Sequence, residues 1–178
     1  MMNIDLVWVD ASPSREYSAQ VREIVRESAP DLSMFAYDKL SPLYEYLVER
    51  EIVRASYLLG RVGVPGASRM HLLLAISPVD DVVAGFALVT PCLDTVGEAS
   101  VTMVAVRDDW RDCGVFSALM QALKARFKNR LGLTCKPKLV EMYEKDLLYW
   151  VPTKPILSWS SRGGMGITAE RSLLLTTL

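Results

Sequence analysis

The amino-acid sequence predicts an α/β fold of the α+β type, with a mixed, mostly antiparallel twisted sheet. Three observations carry the prediction. One short β-rich run is followed by two segments with helical periodicity. Three consecutive β-rich runs joined by turns come next, which is the pattern of an antiparallel meander. A strand then ends directly in an amphipathic helix, after which the chain closes on short strands. No internal repeat, low-complexity tract or interdomain linker divides the 178 residues, so a single domain over 1–178 is expected. That length is enough for a sizeable core.

Each element has its own signal. Residues 3–9 alternate as a first strand. Ser12-Pro13 marks a helix start, since serine can cap the first turn and proline fits within it. Tyr17, Val21, Ile24 and Val25 then recur at helical spacing. Residues 31–37 form a connection to a second helix over 41–59, with Leu43, Tyr46, Leu47 and Ile52 apolar. The glycine-rich stretch 60–68 is a loop. The meander comprises 70–77, 82–90 and 99–106, and Pro78-Val79-Asp80-Asp81 makes its first turn. A helix over 115–129 has Phe116, Leu119, Met120, Leu123 and Phe127 on one face and Ser117, Gln121, Lys124 and Lys128 on the other. A strand at 131–136, a short helix at 138–145, and strands at 148–151, 155–160 and 171–177 complete the chain.

Composition narrows the function. The net charge of −1 provides no basic field for nucleic acid or for an anionic membrane. No apolar run reaches the length of a membrane span, and the N-terminal MMNIDLVWVD lacks the basic flank of a signal peptide. Cys92, Cys113 and Cys135 share no metal-ligand spacing and point to reduced thiols in the cytoplasm. His71 is the one histidine. A histidine-centred hydrolytic site or a multi-histidine metal site is therefore not expected, and His71, opening the apolar run HLLLAIS, reads as structural.

The chemistry concentrates at 108–120, DDWRDCGVFSALM, between the third meander strand and the helix. A strand that runs straight into a helix presents the helix's first backbone N–H groups and its dipole to an anion such as a phosphate. Gly114 lets the backbone approach closely, and Arg111 adds positive charge. Asp112 opposes this unless it points away. The alternative is a capped strand-to-helix turn.

These residues resemble motif A of the GNAT superfamily of acyl-CoA N-acyltransferases, whose signature contains Arg/Gln-x-x-Gly-x-Gly/Ala. Arg111 and Gly114 match its anchor positions, while Asp108, Asp112 and Phe116 stand where proline, glycine, and glycine or alanine are common. About 25 residues on, Leu139-Val140-Glu-Met-Tyr143-Glu144-Lys145 resembles motif B, with Leu147-Leu148 in place of its Gly-Phe pair. The order of elements also matches along nearly the full chain, most weakly over the last 25 or so residues. The resemblance implies a GNAT-like sheet with helices on both faces and a split between strands 4 and 5.

It also implies a mechanism. Acetyl-CoA, or another acyl-CoA, would lie in the split, its pantetheine pairing with the backbone of Met103, Val104 and Val106 like an added strand. The N–H groups of Asp112, Cys113, Gly114, Val115, Phe116 and Ser117 would hold the pyrophosphate, beside Arg111. A neutral amine would attack the thioester directly. Backbone N–H groups near Val104 would stabilise the oxyanion. Tyr143 would protonate the departing thiolate, the alternative being that it only packs the short helix. Glu98, just before strand 4, is the candidate general base, directly or through water, the alternative being a solvated turn residue. No metal enters.

Other features weigh less. Cys113 has no nucleophilic task in this chemistry and reads as an inert side chain. Gly163-Gly164-Met165-Gly166 has no following helix and reads as a hairpin or loose loop. Tyr149 and Trp150 fit either an acceptor groove or an ordinary strand. Asp31, Tyr37, Asp38, Tyr44, Glu45 and Tyr46 suit a cationic amine, and equally a solvated helix face. The acceptor is thus an amine of a small molecule or a protein, and a homodimer is compatible with the reading. The alternative function is a GNAT-like protein that has lost catalysis and acts as a binding or regulatory module.

Overall fold

The computed structural model describes residues 3–32, 39–66, 69–91, 99–127, 131–134, 149–150, 156–159, 165–168 and 172–174. Strand β1 (Asp5–Val9) precedes helices α1 (Arg15–Leu32) and α2 (Tyr44–Leu59). The meander follows as β2 (His71–Ser77), β3 (Val82–Pro91) and β4 (Ala99–Val106). A 3₁₀ turn (Asp108–Trp110) leads into α3 (Val115–Phe127). The remaining strands are β5 (Leu131–Thr134), β6 (Tyr149–Trp150), β7 (Ile156–Trp159), β8 (Met165–Thr168) and β9 (Ser172–Leu174).

Among the described residues, seven strands form one sheet in the order β1-β2-β3-β4-β5-β9-β6, and β7 and β8 pair separately. Every pairing is antiparallel except β4 with β5. The expected mixed, mostly antiparallel sheet is therefore observed, with helices on both faces. Val115, Leu119, Met120 and Leu123 of α3 pack on Leu73, Ala75, Ala87 and Val101. Val21, Ile24 and Val25 of α1, with Ile52, Ala55 and Leu59 of α2, pack on Leu72, Leu74, Phe86, Leu88, Met103 and Ala105. With both faces covered, β2 is a continuous apolar run rather than an alternating one. Burial of each large apolar side chain contributes roughly 1.5–3 kcal/mol.

Two register shifts shape the sheet. Ala75 pairs with Gly85 and Ile76 with Val83, so Ala84 is the extra residue of a bulge in β3. Leu88 pairs with Met103 and Val89 with Val101, so Thr102 is the extra residue in β4. The first bulge turns Gly85 toward α3. A Cβ there would lie 3.0 Å from the Ala105 carbonyl oxygen and 3.1 Å from Val115 Cγ1, so glycine is what lets α3 sit close to the sheet.

Some expectations are corrected. The cap of α1 is Ser14, not Ser12: its Oγ accepts the Tyr17 N–H at 3.1 Å, which leaves Pro13 outside the helix. The helix runs through Pro30 to Leu32, so Asp31 belongs to its last turn rather than to a connection. Met165 and Gly166 lie in strand β8, where Gly166 pairs with Ser158. Gly166 thus sits within a strand of an antiparallel pair, while Gly163 and Gly164 lie outside the described residues. The helix expected at 138–145 lies outside the described residues.

Candidate functional site

The site is built where β4 leaves β5. The two strands pair from Ala99↔Leu131 to Val101↔Leu133, and Thr102, the next residue, is the bulge. From Thr102 to Val106, β4 has β3 on one side and no strand on the other among the described residues. The predicted split thus opens at Thr102, and the backbone of Met103, Val104 and Val106 lies along its edge. Met103 is buried against α1 and α2, while Val104 packs partly against the cluster under α3.

The far end of this edge feeds the turn. The Arg107 N–H donates to the Ala84 carbonyl at 2.9 Å, anchoring the end of β4 to β3. The Trp110 and Arg111 N–H groups close the 3₁₀ turn onto Arg107 and Asp108. Asp112 then adopts φ 59° and Gly114 φ 83°, both in the left-handed region. The first bond of α3 runs from the Ala118 N–H to the Gly114 carbonyl at 3.0 Å. The N–H groups from Val115 to Ser117 therefore precede the helix's own ladder. Arg111, Asp112, Cys113 and Gly114 are all exposed, and a Cβ placed on Gly114 would meet no protein atom within 4 Å. Glycine here serves the turn and leaves space outside it. That combination suits a phosphate held by backbone N–H groups.

Arg111 has a more specific position than the sequence indicates. Its Nη2 lies 2.7 Å from Asp108 Oδ1 and 3.5 Å from Ser28 Oγ of α1. Glu27 Oε2 accepts the Asp108 N–H at 3.2 Å. Arg107 pairs with Asp109 at 3.8 Å. The side chain of Arg111 is therefore tied to its own turn and to α1, and its charge is shared with Asp108. An anion placed at this turn would be met mainly by backbone N–H groups.

Other sequence-predicted residues are distributed unevenly. Glu98 and Tyr143 lie outside the described residues, as do Tyr37 and Asp38. Tyr44 packs partly against the core under α1 and α2, whereas Glu45 and Tyr46 face solvent. Cys113 is an exposed free thiol. The His71 ring packs edge-on against Phe127 at 5.7 Å. Burial, aided by Arg126 and Arg69, lowers its pKa and so disfavours the charged ring, which suits a structural role. No described helix is long and apolar enough to cross a membrane.

One group at the mouth of the split escaped the sequence reading. Glu51 of α2 is 2% exposed and paired with Arg50 at 2.8 Å and Arg54 at 3.3 Å. Arg54 Nη2 also donates to the Thr102 carbonyl at 3.3 Å. The helical pattern marked Leu43, Tyr46, Leu47 and Ile52 as apolar; Leu47 and Ile52 are buried, Leu43 and Tyr46 are exposed, and nothing in that pattern distinguishes a buried glutamate from a solvated one.

Comparison with known proteins agrees with this geometry. Residues 26–147 match the model of the acetyltransferase (GNAT) family. No curated protein sequence matches significantly. Among solved structures, the chain is similar to the PaiA N-acetyltransferase from Thermoplasma acidophilum in complex with coenzyme A, with TM-score 0.67, 13% identity, and 97% and 98% of the two chains covered. It is similar to a histone acetyltransferase HPA2 and related acetyltransferase from Corynebacterium glutamicum, with TM-score 0.64, 16% identity and 99% of each chain covered. It is also similar to diaminobutyrate acetyltransferase EctA from Paenibacillus lautus, in complex with diaminobutyric acid and coenzyme A, with TM-score 0.54, 13% identity, and 97% and 95% covered. At these identities the likeness is one of fold.

Proposed function

The chain belongs to the acetyltransferase (GNAT) family, and from that premise we propose that it is an acyl-CoA-dependent N-acyltransferase. It moves an acetyl or other short acyl group to a primary amine of a small molecule or protein, by direct attack in a ternary complex. The observation that carries the reading is continuity: the free edge of β4 leads into a turn whose left-handed Gly114 opens onto space at the start of α3. A phosphate at that helix start and an extended pantetheine arm along β4 are what such a surface accommodates. Coenzyme A in two of the similar structures supports the same co-substrate.

On this reading the residues divide the work. Backbone N–H groups from Asp112 to Ser117 hold the pyrophosphate. The edge of Met103, Val104 and Val106 aligns the pantetheine, which places the thioester toward Thr102. The Val104 N–H donates to the oxyanion that forms as the amine attacks. Tyr143, assigned from the motif resemblance, donates a proton to the departing thiolate. Glu98, assigned from its place just before β4, takes one from the amine directly or through water.

The test is release of free thiol from acetyl-CoA with L-lysine, spermidine and a short peptide bearing a free N-terminus as acceptors. Amine-dependent release is expected with at least one class. No release with any amine, together with no acetyl-CoA binding, would overturn the reading. Binding without turnover would favour the non-catalytic alternative. With an active amine, Tyr143→Phe should lower kcat on the order of 10²-fold while leaving acetyl-CoA affinity nearly unchanged.

A further inference from the structure

We infer that Arg54, oriented by the buried Glu51, is a positioning residue that sets the backbone at the mouth of the β4–β5 split. The inference rests on the acyltransferase reading above.

An extra residue in one strand is left without a partner in the ladder. Thr102 has no opposite residue on β3, and it lies just beyond the last β4–β5 pair, Val101↔Leu133. Among the described residues no strand is paired to Thr102, and Arg54 Nη2 donates to its carbonyl at 3.3 Å. The Thr102 hydroxyl is held from the other side, through a hydrogen bond with the Thr90 hydroxyl of β3. Backbone and side chain of the bulge are thus fixed by different elements.

Glu51 explains why Arg54 can do this. A buried carboxylate is costly unless it is paired and hydrogen-bonded. Glu51 Oε1 takes Arg50, and Oε2 takes Arg54 Nη1 at 3.3 Å. With Nη1 engaged there, Nη2 of the planar guanidinium is directed to Thr102. A lysine has no second fixed donor for this geometry. Ile52 and Ala55 are buried in the same cluster as Met103 and Ala105, which anchors this turn of α2 in the core on that face of the sheet.

The consequence falls on the reaction rather than on cofactor binding. The phosphate cradle lies at the start of α3, at the opposite end of the free β4 edge. The oxyanion donor assigned above, the Val104 N–H, lies two residues beyond the bulge, and its direction depends on how the bulge is held. Displacing a catalytic group by a fraction of an ångström costs rate far more than it costs ground-state binding.

The experiment compares wild type, Arg54→Met and Arg54→Lys. It measures steady-state kinetics with the best amine of the panel, acetyl-CoA affinity by calorimetry, and hydrogen exchange of peptides covering 99–106. Arg54→Met keeps most of the stem and removes every donor. Its kcat should fall roughly 10- to 100-fold, its acetyl-CoA Kd should stay within about threefold, and exchange over 99–106 should rise. Arg54→Lys should lose only about a few-fold in kcat, because it retains the charge and one donor. Unchanged kcat in Arg54→Met overturns the inference while the acyltransferase reading stands. So does a parallel fall of kcat and acetyl-CoA affinity, the mark of general packing. If Arg54→Met fails to fold, Arg54→Lys decides: wild-type kcat overturns the inference, and a reduced kcat with intact affinity supports it. A wild type without turnover on any amine overturns both.

Discussion

At the scale of single residues, Gly114 has two separable duties. Its φ of 83° lies in a region that disfavours side chains, and the space outside it is open. A substitution therefore costs backbone strain, on the order of 1–2 kcal/mol, whether or not a ligand binds there. Gly114→Ala and Gly114→Val carry that strain, but valine fills more of the outer space. Both variants should remain folded, with a modestly lower Tm. Acetyl-CoA affinity should fall clearly for alanine and be abolished for valine. Calorimetry on both, beside circular dichroism, checks this; normal binding by Gly114→Val would show that the phosphate lies elsewhere. The sequence made Gly114 legible because a glycine before an amphipathic helix is a local signal. The partners of Arg111 were not legible, since Ser28 lies 83 positions away and only the packing of α1 brings it there.

At the scale of elements, what was legible is what repeats. The meander and α3 carry periodic apolar residues and turn chemistry, so their order and type follow from the chain itself. Bulges do not repeat. A single extra residue such as Ala84 or Thr102 changes which face its neighbours point to without altering the local composition. The opening of the split, which depends on one such residue, therefore entered through family resemblance and not through periodicity. Strand β8 was missed for a related reason: Gly166 within it reads as a breaker. Gly85 tests the bulge in β3. In Gly85→Ala the new methyl would meet the Ala105 carbonyl at 3.0 Å, Val115 Cγ1 at 3.1 Å and Leu119 Cδ1 at 3.3 Å. The side chains can yield slightly, but the carbonyl belongs to β4 and cannot move far. A loss of about 1–3 kcal/mol is expected, the usual cost of overpacking. Because α3 would be pushed off the sheet, acetyl-CoA affinity should fall as well. Urea unfolding and calorimetry measure the two effects, and a neutral Gly85→Ala would mean that the close approach of α3 is not required.

At the scale of the molecule, the helices on opposite faces of the sheet have different tasks. In the proposed function α3 supplies the anion-binding end, while α1 and α2 hold the turn and the bulge through Glu27, Ser28 and Arg54. A ligand lying along β4 from the start of α3 to Thr102 would be held by backbone from both parts and would favour the folded state over the unfolded one. Such a ligand at about 100 times its dissociation constant stabilises a fold by roughly 2.7 kcal/mol. For a chain of this size that corresponds to a rise in Tm of about 5–10 °C. Thermal unfolding with and without acetyl-CoA should therefore show a shift of that order in wild type. Gly114→Val should show no shift, because its cradle is blocked. Arg54→Met should show nearly the full shift, because the bulge acts on the reaction and not on the phosphates. That ordering separates the two ends of the site in one measurement, without any knowledge of the acceptor amine. A wild type whose Tm is unmoved by millimolar acetyl-CoA would leave the β4 edge without its proposed occupant.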